Sequence, residues 1–210
     1  MSVDQFPASD FDSWASTYDQ DTASNSGFPF ERYSQVLQTV LRTAQPQAGQ
    51  MVLDLGAGTG NLTALFVAAG CRVWGMDYSS EMLALARKKL PQVTYVMADI
   101  RDLWPAELPE KFDCIVSGYA FHHFITAEKV RLIRDLAANH LSPGGRIVIA
   151  DIAFTNLADQ EAERLSQGNE WNEEYYWVAE VELPALRAAG LQAEFELVSP
   201  YAGVFRIYQE

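Results

Sequence analysis

The chain lacks the materials of several protein classes. Only two of its 210 residues are cysteine, Cys71 and Cys114. Each lies at or within a predicted strand with a third strand expected between them, so the sulfurs stand about two strand spacings, roughly 9 to 10 Å, apart. A disulfide needs closer Cα atoms, and both are expected as reduced, buried fillers. No apolar run approaches the roughly 20 residues that span a bilayer. The opening MSVDQFPASDFDS has neither the basic flank nor the apolar core of a secretory signal, so a cytoplasmic location is expected, with no membrane partner. Basic residues are scarce too: 15 Lys and Arg against 28 Asp and Glu, a net charge of −13. Such a surface repels a phosphate backbone, and no basic patch with interleaved aromatics offsets it, which argues against nucleic acid. The charge is read as serving solubility, with a cationic partner or substrate as its other use.

What remains is ordinary for a globular protein: 49% apolar and 20% charged residues, at a length that suits one domain with a full core. No internal repeat or low-complexity segment interrupts it. The stretch that organises the chain is Met51 to Gly60, MVLDLGAGTG. Met51, Val52, Leu53 and Leu55 read as a strand buried on both faces, as in a parallel sheet covered by helices. Three alternate glycines follow, which let the backbone turn sharply and come close to a ligand because no Cβ intervenes. Asn61 to Ala69 then reads as a helix.

The rest alternates. Arg72 to Met76, Val93 to Met97, Phe112 to Ser117 and Arg146 to Ala150 read as strands. Ser80 to Leu90 and Ala127 to His140 read as helices, with Pro143-Gly144-Gly145 turning the chain. This alternation indicates a parallel, doubly wound α/β sheet. At the end, Leu191 to Val198 and Val204 to Tyr208 leave no room for a crossover helix and must pair antiparallel. At the start, Asp10 to Asp19 is a predicted helix with Phe11, Trp14, Ala15 and Tyr18 on one face, and Phe30 to Ala44 is a second. Asn156 to Trp177 stands out as an insertion, polar and then aromatic.

The dinucleotide fingerprint G-x-G-x-x-G would put its third glycine at position 61, which is Asn61. The spacing here is G-x-G-x-G, at Gly56, Gly58 and Gly60, with Asp54 ahead of it and Asp77 at the end of the next strand. This pattern resembles the S-adenosylmethionine site of class I methyltransferases, and the N-terminal FDSWASTYD is similar to the small-molecule branch that includes the bacterial YrrT-type enzymes and relatives of quinone-biosynthesis enzymes.

The resemblance implies a three-layer, Rossmann-like sheet of order 3-2-1-4-5-7-6 with the last strand antiparallel. It implies a helical lid over residues 1–45 and a donor-binding domain over 46–210. It assigns donor binding to Tyr18, Asp54, Gly56, Ala57, Gly58, Gly60 and Asn61, then Asp77, Tyr78, Ser79 and Met82, and lastly Ala98, Asp99, Ile100, Ser117 and Gly118. In that scheme Tyr18 reaches the donor's carboxylate, Asp77 takes the ribose hydroxyls, Asp99 the adenine amino group, and Ile100 packs on the ring. A helix cap for the next segment is the alternative role for Asp99, and Trp14 serves equally well as core packing.

SGYAFHHF, after the fourth strand, resembles the methyl-facing element of the family. Tyr119 and His122 are the catalytic candidates there, His122 as a general base or only as a shaping group. Trp14, His123, Trp171 and Tyr175 are expected around the acceptor. No metal is expected, because no acid or cysteine stands at ligand spacing beside the paired histidines and adjacent helical histidines point apart. The function implied is methyl transfer to a small molecule, by a monomer or homodimer; the alternative is a non-catalytic donor-binding module that engages a protein partner.

Overall fold

A computed structural model describes residues 7–209 of the chain. The elements are α1 (Ala8–Ala23), α2 (Tyr33–Ala44), β1 (Met51–Leu55), α3 (Asn61–Ala68), β2 (Arg72–Asp77), α4 (Ser80–Lys89), β3 (Thr94–Met97), β4 (Phe112–Gly118), α5 (Thr126–Asp135), β5 (Leu141–Phe154), α6 (Leu157–Gln167), β6 (Trp177–Val178), α7 (Ala179–Ala188), β7 (Gln192–Ser199) and β8 (Ala202–Tyr208). The sheet order is β3-β2-β1-β4-β5-β8-β7, with β8 antiparallel to both neighbours. This is the expected topology. The numbering differs only because the two-residue β6 pairs with the far end of β5.

Alternate residues of the central strands face opposite layers. Leu53, Leu55, Ile115 and Ile147 pack with Leu132, Ile133 and Leu186 of α5 and α7. Val52, Val116 and Val148 pack with Val36, Val40, Phe66 and Leu83 of α2, α3 and α4. From β1 the chain steps to β2 on one side while β4 lies on the other, so the order reverses between β1 and β4. The crevice outside the carboxyl ends of those two strands is where such sheets bind ligands.

Two boundaries move. The first helix begins after Pro7 and runs to Ala23, well beyond Asp19. The second starts at Tyr33, because Phe30 to Arg32 form a turn in which Arg32 has a φ of 60°. With Val36, Val40 and Ala44 fully buried against the sheet, α2 is a layer helix of the core. Of the segment expected as a lid, residues 1–6 lie outside the described residues; among the described ones, α1 and the turn after it line the cavity at the strand ends. Cys114 is buried as expected, but Cys71 is only half-buried, and both are free thiols. Among the described residues no helix is long and apolar enough to cross a membrane.

Candidate functional site

The glycine loop takes the backbone shape its sequence requires. Gly56, Gly58 and Gly60 have φ values of 68°, 52° and 86°, a region that costs an L-residue roughly 1 to 2 kcal/mol. A Cβ on Gly56 would lie 2.5 Å from that of Ala120, whereas one on Gly58 would meet nothing within 4 Å. Gly58 thus presents bare backbone to open space. The loop is tied to the end of β2 by Gly56 N–H and Ala57 N–H donating to Met76 O at 2.8 and 3.0 Å. Asp77 completes that corner, accepting from Gly58 N–H at 2.8 Å and Ser79 N–H at 2.9 Å. Burial pushes its carboxyl above the usual carboxylate range, and the backbone donors offset part of that rise.

These groups open into one cavity of about 540 Å³, within the size range of small-ligand sites. On the β1–β3 side it is lined by Gly56, Gly58, Asp77, Tyr78, Met82, Ala98, Asp99 and Ile100, and on the β4–β5 side by Gly118, Tyr119, His122, His123, Glu174 and Tyr176. Phe11, Trp14 and Tyr18 of α1 and Phe28 and Phe30 of the following turn also line it. Two acids of α1 fasten the helix across the strand ends. Asp12 accepts from Ser79 Oγ at 2.6 Å and Glu81 N–H at 3.2 Å. Asp19 accepts from Thr59 Oγ at 2.5 Å, Asn61 Nδ2 at 3.0 Å and Lys89 Nζ at 2.8 Å. Partial burial works against the charge on Asp19, but those donors outweigh it and hold its carboxyl low.

Several expected site residues lie elsewhere. Asp54 is 1% exposed behind the loop, where it accepts from Thr63 Oγ at 2.6 Å and fastens α3; burial pushes its pKa up to about 7. Ser117 donates to Leu55 O within the sheet, Ser79 caps α4, and Gly60 starts α3. Ala57 and Asn61 line a small pocket beside Tyr18 and Tyr33 that adjoins the loop. Asp99 stays in the cavity lining but has no helix to cap: it holds a turn, accepting from Arg101 N–H at 2.8 Å while also pairing with the Arg101 guanidinium. Trp171 stacks on Phe28 behind the lining, and Tyr175 is exposed. Tyr176, one residue on, is the aromatic that reaches the cavity, because alternate residues of an extended segment face opposite ways.

Tyr119 is strained and tightly held. Its φ is 56°, its N–H donates to Ala150 O at 2.9 Å, and its ring packs between Phe30 and Tyr33. Its buried hydroxyl has no hydrogen-bond partner among the described residues. An orphaned donor in a cavity, next to a carboxylate corner and a Cβ-free loop, fits a ligand that carries both hydroxyls and charge.

The histidine end differs from the expectation in the orientation of the two rings and in the acids beside them. His122 and His123 lie on a 3-10 turn over residues 121–123 with rings 4.1 Å apart, so they do not point away from each other. Acids absent along the sequence arrive from other elements. His122 Nδ1 is 2.5 Å from Asp151 Oδ1 on β5, and His122 Nε2 is 3.7 Å from Glu174 Oε2. Asp151 is fully buried and also accepts from Phe121 N–H, Ile152 N–H and Trp177 Nε1. Burial opposes the charges on both members of the pair. Mutual attraction outweighs it, holding Asp151 below and His122 above their ordinary values. Glu174 is brought in by two contacts of its neighbour: Tyr175 N–H donates to His122 O, and Tyr175 O accepts from the buried Lys129 at 2.6 Å.

Sequence reasoning missed Asp151, Glu174, Tyr176 and the two fastening acids of α1. Asp151 carried a usable signal, a lone acid inside the apolar run IVIADIAF near a strand's carboxyl end, as Asp77 does. Glu174 carried none, since its partners lie 51 and 52 residues away.

Against known proteins, a methyltransferase-domain family profile matches residues 52–145. An uncharacterized methyltransferase of Anoxybacillus flavithermus is 39% identical over 156 residues, covering 72% of this chain and 70% of the relative. Among solved structures, magnesium protoporphyrin IX methyltransferase of Synechocystis, with bound S-adenosylhomocysteine, superimposes with a TM-score of 0.71 at 18% identity, over 97% of this chain and 100% of that one. A Haloferax volcanii complex between the Trm112 methyltransferase activator and a partner methyltransferase gives 0.72 at 20% identity, over 94% and 96%.

Proposed function

The chain belongs to the class I S-adenosylmethionine-dependent methyltransferases, and from that premise we propose that it methylates a small molecule bound in the cavity beneath α1. Bound S-adenosylmethionine supplies a methyl group on a positively charged sulfur, already activated for displacement. The observation that carries the reading is that the glycine-loop corner and the His122–Glu174 corner open into the same cavity. The residues of the first corner would hold the donor, and those of the second would line the acceptor beside it.

Gly58 N–H, already turned onto Asp77, sets the acid to accept the two ribose hydroxyls. Met82 and Ile100 flank a flat ring, and Tyr119 and Tyr18 offer hydroxyls to the polar end of the donor. His122, oriented by Asp151, meets the acceptor's nucleophilic atom together with Glu174; this end of the cavity aligns that atom and weakens its hold on its proton. The aromatic rings of α1 and the turn after it exclude water. We read α1 with this turn as a lid whose fastenings, Asp12 and Asp19, release to admit ligands.

The acidic surface and aromatic lining support a small acceptor over a nucleic acid. The test is conversion of labelled donor to S-adenosylhomocysteine with a panel of small phenols, amines, thiols and carboxylates. Transfer to at least one supports the proposal. Tight donor-product binding without transfer to any of them favours a binding module.

A further inference from the structure

We infer that His122, His123 and Glu174 form a site for one divalent transition-metal ion of the zinc class, opening onto the acceptor end of the cavity. One ligating atom from each residue lies within 4.8 Å of the others. At metal–ligand distances of about 2.0 to 2.1 Å, two ligands at a tetrahedral ion stand about 3.4 Å apart. His122 Nε2 and Glu174 Oε2 are 3.7 Å apart. That is too long for a hydrogen bond between them, yet within a small side-chain adjustment of the spacing an ion would impose.

The surroundings are those of a built ligand set. Asp151 accepts the Nδ1 proton of His122, which fixes the tautomer and leaves Nε2 as the lone-pair nitrogen. Asp151 is itself immobilised by two backbone N–H groups and the Trp177 indole. Glu174 has a side chain only 17% exposed, and it is seated by the Tyr175 backbone contacts to His122 and Lys129. Two imidazoles and one carboxylate suit zinc, cobalt, iron or manganese better than magnesium or calcium, which prefer oxygen throughout. Three protein ligands leave a coordination position open towards the cavity. An acceptor oxygen or sulfur ligated there keeps a lone pair for the methyl group and releases its proton to solvent at a lower pH.

This role for the ion rests on the methyltransferase reading above; binding of the ion does not. The experiment uses the full chain, tag-free and stripped with a chelator, titrated with Co²⁺ while its visible absorption is followed. The expected result is a saturable band with one equivalent bound, displaced by Zn²⁺, and at least tenfold weaker binding in Glu174→Gln and in His123→Ala. S-adenosylhomocysteine binding, measured by calorimetry on each preparation, reports that the variants are folded. An absorption spectrum that stays that of free aqueous cobalt, or binding equally tight in both variants, overturns the site. If the parent binds S-adenosylhomocysteine without binding cobalt, only the metal inference falls. If it binds cobalt but not S-adenosylhomocysteine, the donor reading falls and the metal site stands.

Discussion

His122 Nδ1 lies 2.5 Å from Asp151 Oδ1, joining an imidazole just beyond β4 to a carboxylate near the far end of β5. The contact bridges two adjacent parallel strands and fixes which ring nitrogen faces the cavity.

Replacing His122 with Ala is therefore expected to lower the turnover rate by about 100-fold or more while leaving donor-product affinity nearly unchanged. Asp151→Asn keeps the shape but offers an amide where the carboxylate stood, and turnover should fall in the same direction. Steady-state kinetics and calorimetry on the same samples separate the two effects. A matching loss of donor-product binding in His122→Ala would place the residue at the donor end instead.

At the other corner, Asp77→Ala is expected to weaken S-adenosylhomocysteine binding by on the order of 2 to 4 kcal/mol, since two charge-assisted hydrogen bonds to the ribose are lost. The Asp77 carboxyl is held above the usual range by burial, and the ionised form is the better acceptor. Affinity should therefore fall on acidification, starting at a pH higher than an exposed aspartate would give. Calorimetry across pH checks this. Asp77→Asn should bind more weakly and show a flatter profile.

Asp54 controls stability without touching the cavity. Its folded-state pKa of about 7 lies above the reference value of 3.8. Between those values the native state keeps a proton that the unfolded chain has lost, so this group's contribution to stability is full below about pH 4 and is lost as pH rises through about 7. Asp54→Asn retains an oxygen for Thr63 and removes the titration. Its melting temperature should exceed the parent's by a few degrees at pH 8, and the gap should close towards pH 5. A gap that is constant with pH would show that Asp54 is already ionised in the native state.

The lid reading is tested by hydrogen exchange. Binding of S-adenosylhomocysteine should add protection over residues 8–32 and over 172–176. Asp19→Ala, which removes the acceptor for Thr59, Asn61 and Lys89, should raise exchange in α1 without changing α2, whose buried face belongs to the core. A chain without its first 28 residues should fold and bind donor product weakly but turn nothing over. Full activity of that chain would remove α1 from the mechanism.

The sequence by itself determined the alternation of strands and helices, the antiparallel closure and the glycine-loop corner, while the strand order was implied by the family resemblance. Those depend on local matters: apolar runs of strand length, glycines where φ must be positive, and a connection after Tyr201 too short for a crossover. Asp77 was legible as a candidate through the family resemblance, which pairs an acid at the end of the second strand with the glycine loop. Tertiary structure alone decided the acceptor end. Asp54 and Asp77 look alike in the sequence, yet one is sealed behind α3 and the other opens to the cavity, because that depends on which way each strand end faces. His122, Asp151 and Glu174 come from three separate elements. No spacing rule links them, and they meet because parallel β4 and β5 end side by side and Lys129 draws the Tyr175 backbone down onto the histidine turn.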